Sequence, residues 1–191
     1  MNTLFPIFVK MHQISTLLVG AGPVGLEKLQ AIFRSSPQAN VKIVAKEIIP
    51  EVLEFIADKD TVVMEQRSFQ VSDLQAKDLV IVASNNPELN EQIRVLCSEN
   101  NILLNVADKP DLCDFYLGSI VQKGNLKIGI STNGKSPTMA KRLKEFFNDL
   151  LPEEIDETLE LMQQYRNQLK GNLADKIRNL NAHTQDIVRK S

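Results

Sequence analysis

The chain has 191 residues, 43% of them apolar and 24% charged, which is enough to bury a full hydrophobic core. A formal net charge of −2 argues against nucleic acid as a partner, because nucleic-acid binders carry a basic excess. No apolar run reaches the ~20 residues of a membrane span, and Leu4 to Val9 is too short and lacks the cationic start of a secretory leader, so the expectation is a cytoplasmic chain with no membrane partner.

Ile14 to Val19 reads as a buried strand, followed by a glycine turn and a helix from Val24 to Phe33. Val41 to Ala45 is the next strand, and Pro50 opens a helix to Asp58. Thr61 to Glu65 and Leu79 to Ala83 are two further strands, the second wholly apolar. Asn86 caps a helix with Pro87 in its first turn, running to Asn100, and Ile102 to Val106 is the fifth strand. Strands alternating with helices predict βαβ units and a parallel α/β sheet, and the apolar strands agree, since parallel strands are covered on both faces. After Asp108 the pattern changes. Phe115 to Val121 and Leu126 to Ile130 predict an antiparallel hairpin around Gly124-Asn125. Ser136 and Pro137 cap a helix, and Pro152 and Gly171 divide the remaining chain into three helices. Apolar residues from Leu151 through Leu169, and again from Leu173 to Ile187, keep helical spacing. A domain boundary is expected near Asp111. Cys97 and Cys113 fit no metal-ligand spacing and read as packing residues, and no metal site is expected.

Gly20-Ala21-Gly22-Pro23-Val24-Gly25 is a G-x-G-x-x-G between a strand and a helix, the context that gives this motif meaning. Gly20 permits the tight turn, Gly22 lets the backbone approach a pyrophosphate, and Gly25 lets helix and strand pack closely. The helix start offers free N–H groups and a positive dipole end, although Pro23 supplies no donor. A turn that only joins strand to helix would not need three glycines. The acidic residue that binds the cofactor ribose is expected about 20 residues further on. Glu47 stands near that place. Lys46 before it suits a 2′-phosphate, so NAD is favoured and NADP left open, with plain solvated charges as the alternative. Ser84 follows the fourth strand, where it reads either as a ribose contact or as part of a turn. Asp108 ends the fifth strand on the same sheet edge. It reads equally as a proton acceptor beside a nicotinamide and as a turn residue before Lys109-Pro110. His12 and His183 occupy no catalytic position, which argues against a histidine-based dehydrogenase.

Leu4-Phe5-Pro6-Ile7-Phe8, Leu18 to Gly22, Asn105 to Asp108, Phe115 to Ile120, Ile130 to Pro137 and Leu150-Leu151-Pro152 occur in this order. In that combination the chain resembles the precorrin-2 dehydrogenase family, which includes the N-terminal module of bacterial sirohaem synthase. The resemblance covers residues 4 to 152 and more loosely the helical tail. It implies NAD-dependent oxidation of precorrin-2 to sirohydrochlorin, and some relatives also insert ferrous iron to give sirohaem. It implies a homodimer with a Rossmann domain (1–111), a dimerisation segment (112–150) and a C-terminal helical domain (151–191). It places cofactor contacts at Pro23, Val24, Lys46 and Glu47, and the essential carboxylate at Asp108. Where the fusion enzymes carry two serines, this chain has Ser131-Thr132. The expectation is that it lacks their methyltransferase module and consumes precorrin-2 made elsewhere. Such a substrate bears many carboxylates, and Lys135, Ser136 and Arg142 at the helix beginning at Pro137 would suit them, unless they are plain solvated helix residues. A non-catalytic NAD-sensing regulatory module is the alternative reading of the same glycine turn.

Overall fold

The computed structural model describes residues 2–169, 175, 177–179 and 181. The third C-terminal helix expected around Leu173 to Ile187 lies almost wholly outside these residues, as does His183. The chain divides into two compact units, Met1–Gly118 and Ser119–Ser191.

The first unit contains β1 (Ser15–Ala21), α1 (Pro23–Ser35), β2 (Asn40–Ile48), α2 (Pro50–Ile56), β3 (Val62–Gln66), β4 (Leu79–Val82), α3 (Pro87–Glu99) and β5 (Leu103–Val106), with short 3-10 turns at Val71–Leu74 and Pro110–Leu112. The five strands form one sheet in the order β3-β2-β1-β4-β5, and every pairing is parallel. This is the α/β architecture expected from the alternation of elements. Because successive side chains of a strand point to opposite faces, the core is split in two. Leu18, Ile43 and Ile81 pack with Leu29, Ile32 and Phe33 of α1 and Val52 of α2. Leu17, Val19, Val80, Val82 and Leu104 pack on the other face with Ile93 and Cys97 of α3. Leu17 and Leu18 are both fully buried, which is what helices on both sides of a parallel sheet require. Burial also pushes the Cys97 thiol up to about 11, so it stays a neutral packing group.

Three local features differ from the sequence reading. β2 does not end at Ala45 but continues to Ile48, because the ladder slips between Val19 and Ala21 and lets Ala21 pair with Ile48. The hairpin's first strand begins at Ser119 rather than Phe115, and the units divide beyond Asp111. The cause is the same for both. Residues 113–115 return along the open edge of β5. Asp114 exchanges backbone and side-chain bonds with Leu104, 2.7 Å from its N–H to the Leu104 carbonyl and 3.0 Å from the Leu104 N–H to Oδ2. Asn105 Nδ2 donates to the Phe115 carbonyl at 2.8 Å. An uncovered edge strand invites wrong pairing, and this segment covers it.

The second unit holds β6 (Ser119–Lys123) and β7 (Leu126–Ile130), paired antiparallel, then α4 (Pro137–Leu150) and α5 (Ile155–Gln168). Gly124, at φ +53°, turns the hairpin as expected. The Asp156 carboxylate accepts from the Asn125 backbone N–H at 2.7 Å and holds that turn to α5.

Candidate active site

The strand order reverses between β1 and β4: the chain runs outward through β2 and β3, then returns to add β4 and β5 on the other side. In open parallel sheets, ligands bind at this switch point, beyond the carboxyl ends of the strands. All five strands run parallel, so the residues that end them share one edge. That edge gathers Gly20 through Gly25 at the end of β1 and the start of α1, Lys46 and Glu47 near the end of β2, Ser84 after β4, and Asp108 after β5.

Gly20 is the last residue but one of β1, at φ +102°. A side-chain carbon there would stand 2.8 Å from the Ala83 carbonyl carbon and closer to its oxygen. This glycine therefore lets β1 lie against the end of β4. Gly25, buried in the first turn of α1, would push a side-chain carbon to 3.1 Å from the Gly20 carbonyl carbon and nearer still to its oxygen. Gly22 is different. Its backbone is extended, at φ −87° and ψ −166°, a conformation open to any residue. A carbon added there would meet nothing within 4 Å. Two of the three glycines are demanded by the fold, and the central one faces open space. No side chain caps α1, and Pro23 at its first position has no N–H. Leu26 N–H donates to the Gly22 carbonyl at 3.0 Å and begins the helical ladder. The first-turn amides therefore lack a side-chain acceptor, and the positive end of the helix lies at the switch point. These residues fit the pyrophosphate of a dinucleotide.

Lys46 and Glu47 lie within β2, not after it. The slipped register leaves both side chains exposed beside the glycine turn, consistent with how bulges re-aim side chains near sites. Gln66 Nε2 donates to the Lys46 carbonyl at 3.3 Å. At the end of β4, Ser84 Oγ accepts from Asn86 N–H at 3.1 Å, and the Asn86 side chain accepts from Leu89 N–H at 3.1 Å as the cap of α3. Ser84 thus belongs to a hydrogen-bonded turn and stands beside Gly20.

Asp108 sits at φ +58°, a left-handed conformation that aspartate tolerates better than most residues. Ala107 N–H donates to Val82 at 2.9 Å, which ties the turn to β4. The Cys113 thiol closes the other side: it lies 3.2 Å from the carbonyls of Val106 and Lys109 and accepts from Val106 N–H at 3.2 Å. Burial raises its pKa, so the group stays a neutral thiol able to donate. Cys113 therefore does more than the packing expected of it. The Asp108 side chain is exposed and makes no hydrogen bond among the described residues. A firmly held backbone with a free carboxylate can take up a proton from a ligand beside the sheet edge.

Lys135, Ser136 and Arg142 lie in the second unit. Ser136 caps α4: its Oγ accepts from Met139 N–H at 3.1 Å, and its own N–H donates to Thr132 Oγ1 at 3.2 Å. Lys135 and Arg142 are exposed. Sequence reasoning missed a charged cluster of the first unit. Asp73, 2% exposed, accepts from both terminal guanidinium nitrogens of Arg67, at 2.7 and 2.5 Å, from Lys42 at 3.0 Å and from Gln70 N–H at 2.9 Å. Glu65 pairs with the same two cations. No local signal separates these residues from ordinary surface charges.

A family model described as "Putative NAD(P)-binding" matches residues 7–119, more than half of the chain. The chain belongs to this family. The central domain of sirohaem biosynthesis proteins matches residues 123–149, so the two matches follow each other along the chain as the resemblance to the precorrin-2 dehydrogenase family implied. The siroheme synthase of Vesicomyosocius okutanii is 35% identical over 166 residues, 87% of this chain and 35% of that protein. That of Ruthia magnifica is 33% identical over 165 residues, 86% of this chain and 34% of its own length. The chain spans about a third of the length of these curated relatives. A solved structure titled SirC, precorrin-2 dehydrogenase, superposes with a TM-score of 0.76 at 20% identity, covering 97% of this chain and 90% of that one. The likeness in fold therefore extends over both units. Among the described residues no helix is long and apolar enough to cross a membrane, and no three of His, Cys, Asp and Glu group as a metal ion would require.

Proposed function

We propose that the chain is an NAD-dependent dehydrogenase that oxidises precorrin-2 to sirohydrochlorin in sirohaem biosynthesis. The observation that carries this reading is the central glycine, Gly22, which the fold does not need and which opens onto the switch point of a parallel sheet. Membership of an NAD(P)-binding family, the siroheme synthase relatives and the fold shared with a precorrin-2 dehydrogenase support it.

NAD, when bound, supplies a hydride acceptor. Gly20, Gly22, Val24 and Gly25 hold its pyrophosphate through backbone amides at the start of α1, and Pro23 presets the helical turn without competing as a donor. Glu47 takes the ribose hydroxyls, Lys46 lies beside it, and Ser84 faces the cofactor from the end of β4. Asp108 accepts the proton that leaves the macrocycle. Its left-handed backbone is fixed by the flanking bonds to Val82 and Cys113, which leaves the carboxylate itself without a hydrogen-bond partner among the described residues. Lys135, Ser136 and Arg142 bind carboxylates of the tetrapyrrole. In the fuller form of the proposal the enzyme works in the cytoplasm as a homodimer through segment 112–150, with 151–191 as a helical domain. Ferrous iron is then a second substrate, and Asp108 takes up a pyrrole proton and passes it to water before the next one leaves.

The test is the purified chain with precorrin-2 and NAD, followed by NADH absorbance and the sirohydrochlorin spectrum, with ferrous iron added in a second arm. The wild-type chain is expected to form both products. Asp108→Asn should lower kcat by about 10²- to 10⁴-fold while NADH binds with unchanged affinity. No turnover by the wild-type chain sinks the proposal, and undiminished turnover by Asp108→Asn removes that residue from its role.

A further inference from the structure

Asn90 is an asparagine on α3 that is only 2% exposed. Its Nδ2 donates to the Ser84 carbonyl at 3.2 Å, and its Oδ1 is buried with no hydrogen-bond partner among the described residues. Turning the amide over would set Oδ1 against the Ser84 carbonyl, oxygen facing oxygen, so the bond to Ser84 fixes the orientation. An orphaned buried acceptor costs free energy that an apolar side chain would avoid. The fold thus gains little from an amide here, and what the amide does is hold one carbonyl.

That carbonyl belongs to the peptide leaving β4 at the switch point. The Ser84 backbone nitrogen lies 3.5 Å from where a side chain on Gly20 would be. No peptide bond in the described chain is cis. In a trans peptide the C=O and the following N–H point in opposite directions. With the Ser84 carbonyl drawn inward to α3, the Asn85 N–H is turned away from α3, and it has no acceptor among the described residues. Asn85 itself is exposed. The Ser84 hydroxyl bond to Asn86 N–H holds the other end of the turn.

We infer that Asn90 is a positioning residue for the dinucleotide: it locks the Ser84–Asn85 peptide so that the Asn85 N–H is presented to the bound cofactor and the Ser84 carbonyl dipole is kept away from it. If Asn90 released this peptide, the plane could turn over and aim a carbonyl at an anionic ligand. The inference rests on the dinucleotide reading of the glycine turn. It adds a residue that touches no ligand and acts through the backbone of two others.

The experiment titrates NADH into the full chain by fluorescence and measures thermal unfolding of the same samples. The variants are Asn90→Ala, which removes the amide, and Asn90→Leu, which refills the space with apolar atoms. NADH affinity is expected to fall about ten-fold, the loss of one hydrogen bond to a charged ligand. At least one variant should keep the wild-type melting temperature. In turnover, KM for NAD should rise, with kcat at saturating NAD and KM for the tetrapyrrole unchanged. Wild-type affinity in a folded variant overturns the inference. So does a loss of affinity that tracks a loss of stability in both variants, because Asn90 would then be structural. Failure of the wild-type chain to bind NADH overturns the dinucleotide reading itself, and this inference falls with it.

Discussion

Gly22→Ala separates what the fold needs from what a ligand needs. The backbone at Gly22 is extended and its surroundings are empty to 4 Å, so alanine fits without strain. Two small effects on stability oppose each other. Alanine restricts the unfolded chain, which stabilises by about 0.4–1 kcal/mol. At the N-cap of α1 it is a poorer residue than glycine, by up to about 1 kcal/mol. The net change should stay within about 1 kcal/mol, a shift of a few degrees in Tm for a chain of this size. Binding should respond differently. A methyl in the opening displaces a pyrophosphate from the amides and forfeits at least one charge-assisted hydrogen bond, worth about 1.5–3 kcal/mol. NADH affinity then falls roughly 10- to 150-fold. Gly25→Ala is the control: it drives a side-chain carbon into the Gly20 carbonyl and should destabilise by about 1–3 kcal/mol. Fluorescence titration with NADH, alongside thermal melts, reads both effects. Should Gly22→Ala bind NADH as the wild type does, the pyrophosphate does not approach this turn. Should it unfold, the residue serves the fold and the main support for the enzymatic reading is gone.

Asp73→Asn takes from Arg67 and Lys42 their buried partner and leaves them Glu65 alone, which should cost about 1–3 kcal/mol in urea unfolding; a loss below about 0.5 kcal/mol would show the cluster to be inert. The Arg67 guanidinium beside Asp73 holds its carboxyl well below the usual carboxylate range, against the opposing effect of burial. The folded state then binds fewer protons than the unfolded chain below about pH 4. Stability from this group should be fully present above that pH and decline as the pH drops further, a slope that Asp73→Asn should flatten. Ser136→Ala should cost about 1 kcal/mol through its lost helix cap, and if Ser136 also binds substrate, KM for the tetrapyrrole rises beyond what an unchanged fold explains. Arg142→Ala should raise that KM about ten-fold and leave KM for NAD unchanged, whereas no change would mark Arg142 as a solvated helix residue.

Most of the first unit was legible because its signals are local. The apolar runs of β1 and β4, the Asn86 cap and the three spaced glycines each act over a few neighbouring residues, and each appears in the structure where the sequence pattern put it. What escaped depends on residues far apart in the chain. The extension of β2 past Ala45 comes from a register slip against β1, and the shortened hairpin comes from Asp114 and Phe115 bonding back to Leu104 and Asn105. Periodicity contains neither. The two aspartates of the first unit make the same point about chemistry. Asp73 and Asp108 both precede apolar or proline-marked segments and look alike in the sequence. Asp73 lies under a guanidinium from the end of β3 and an ammonium from β2, so its charge is consumed inside the fold. Asp108 follows β5 in a turn whose hydrogen bonds among the described residues all come from backbone and from the Cys113 thiol, which bring no positive charge. A carboxylate whose backbone is held this firmly, yet whose oxygens accept no hydrogen bond among the described residues, has its bonding capacity left for a ligand. That difference in partners, invisible along the chain, is why Asp108 and not Asp73 is the residue to test for proton transfer.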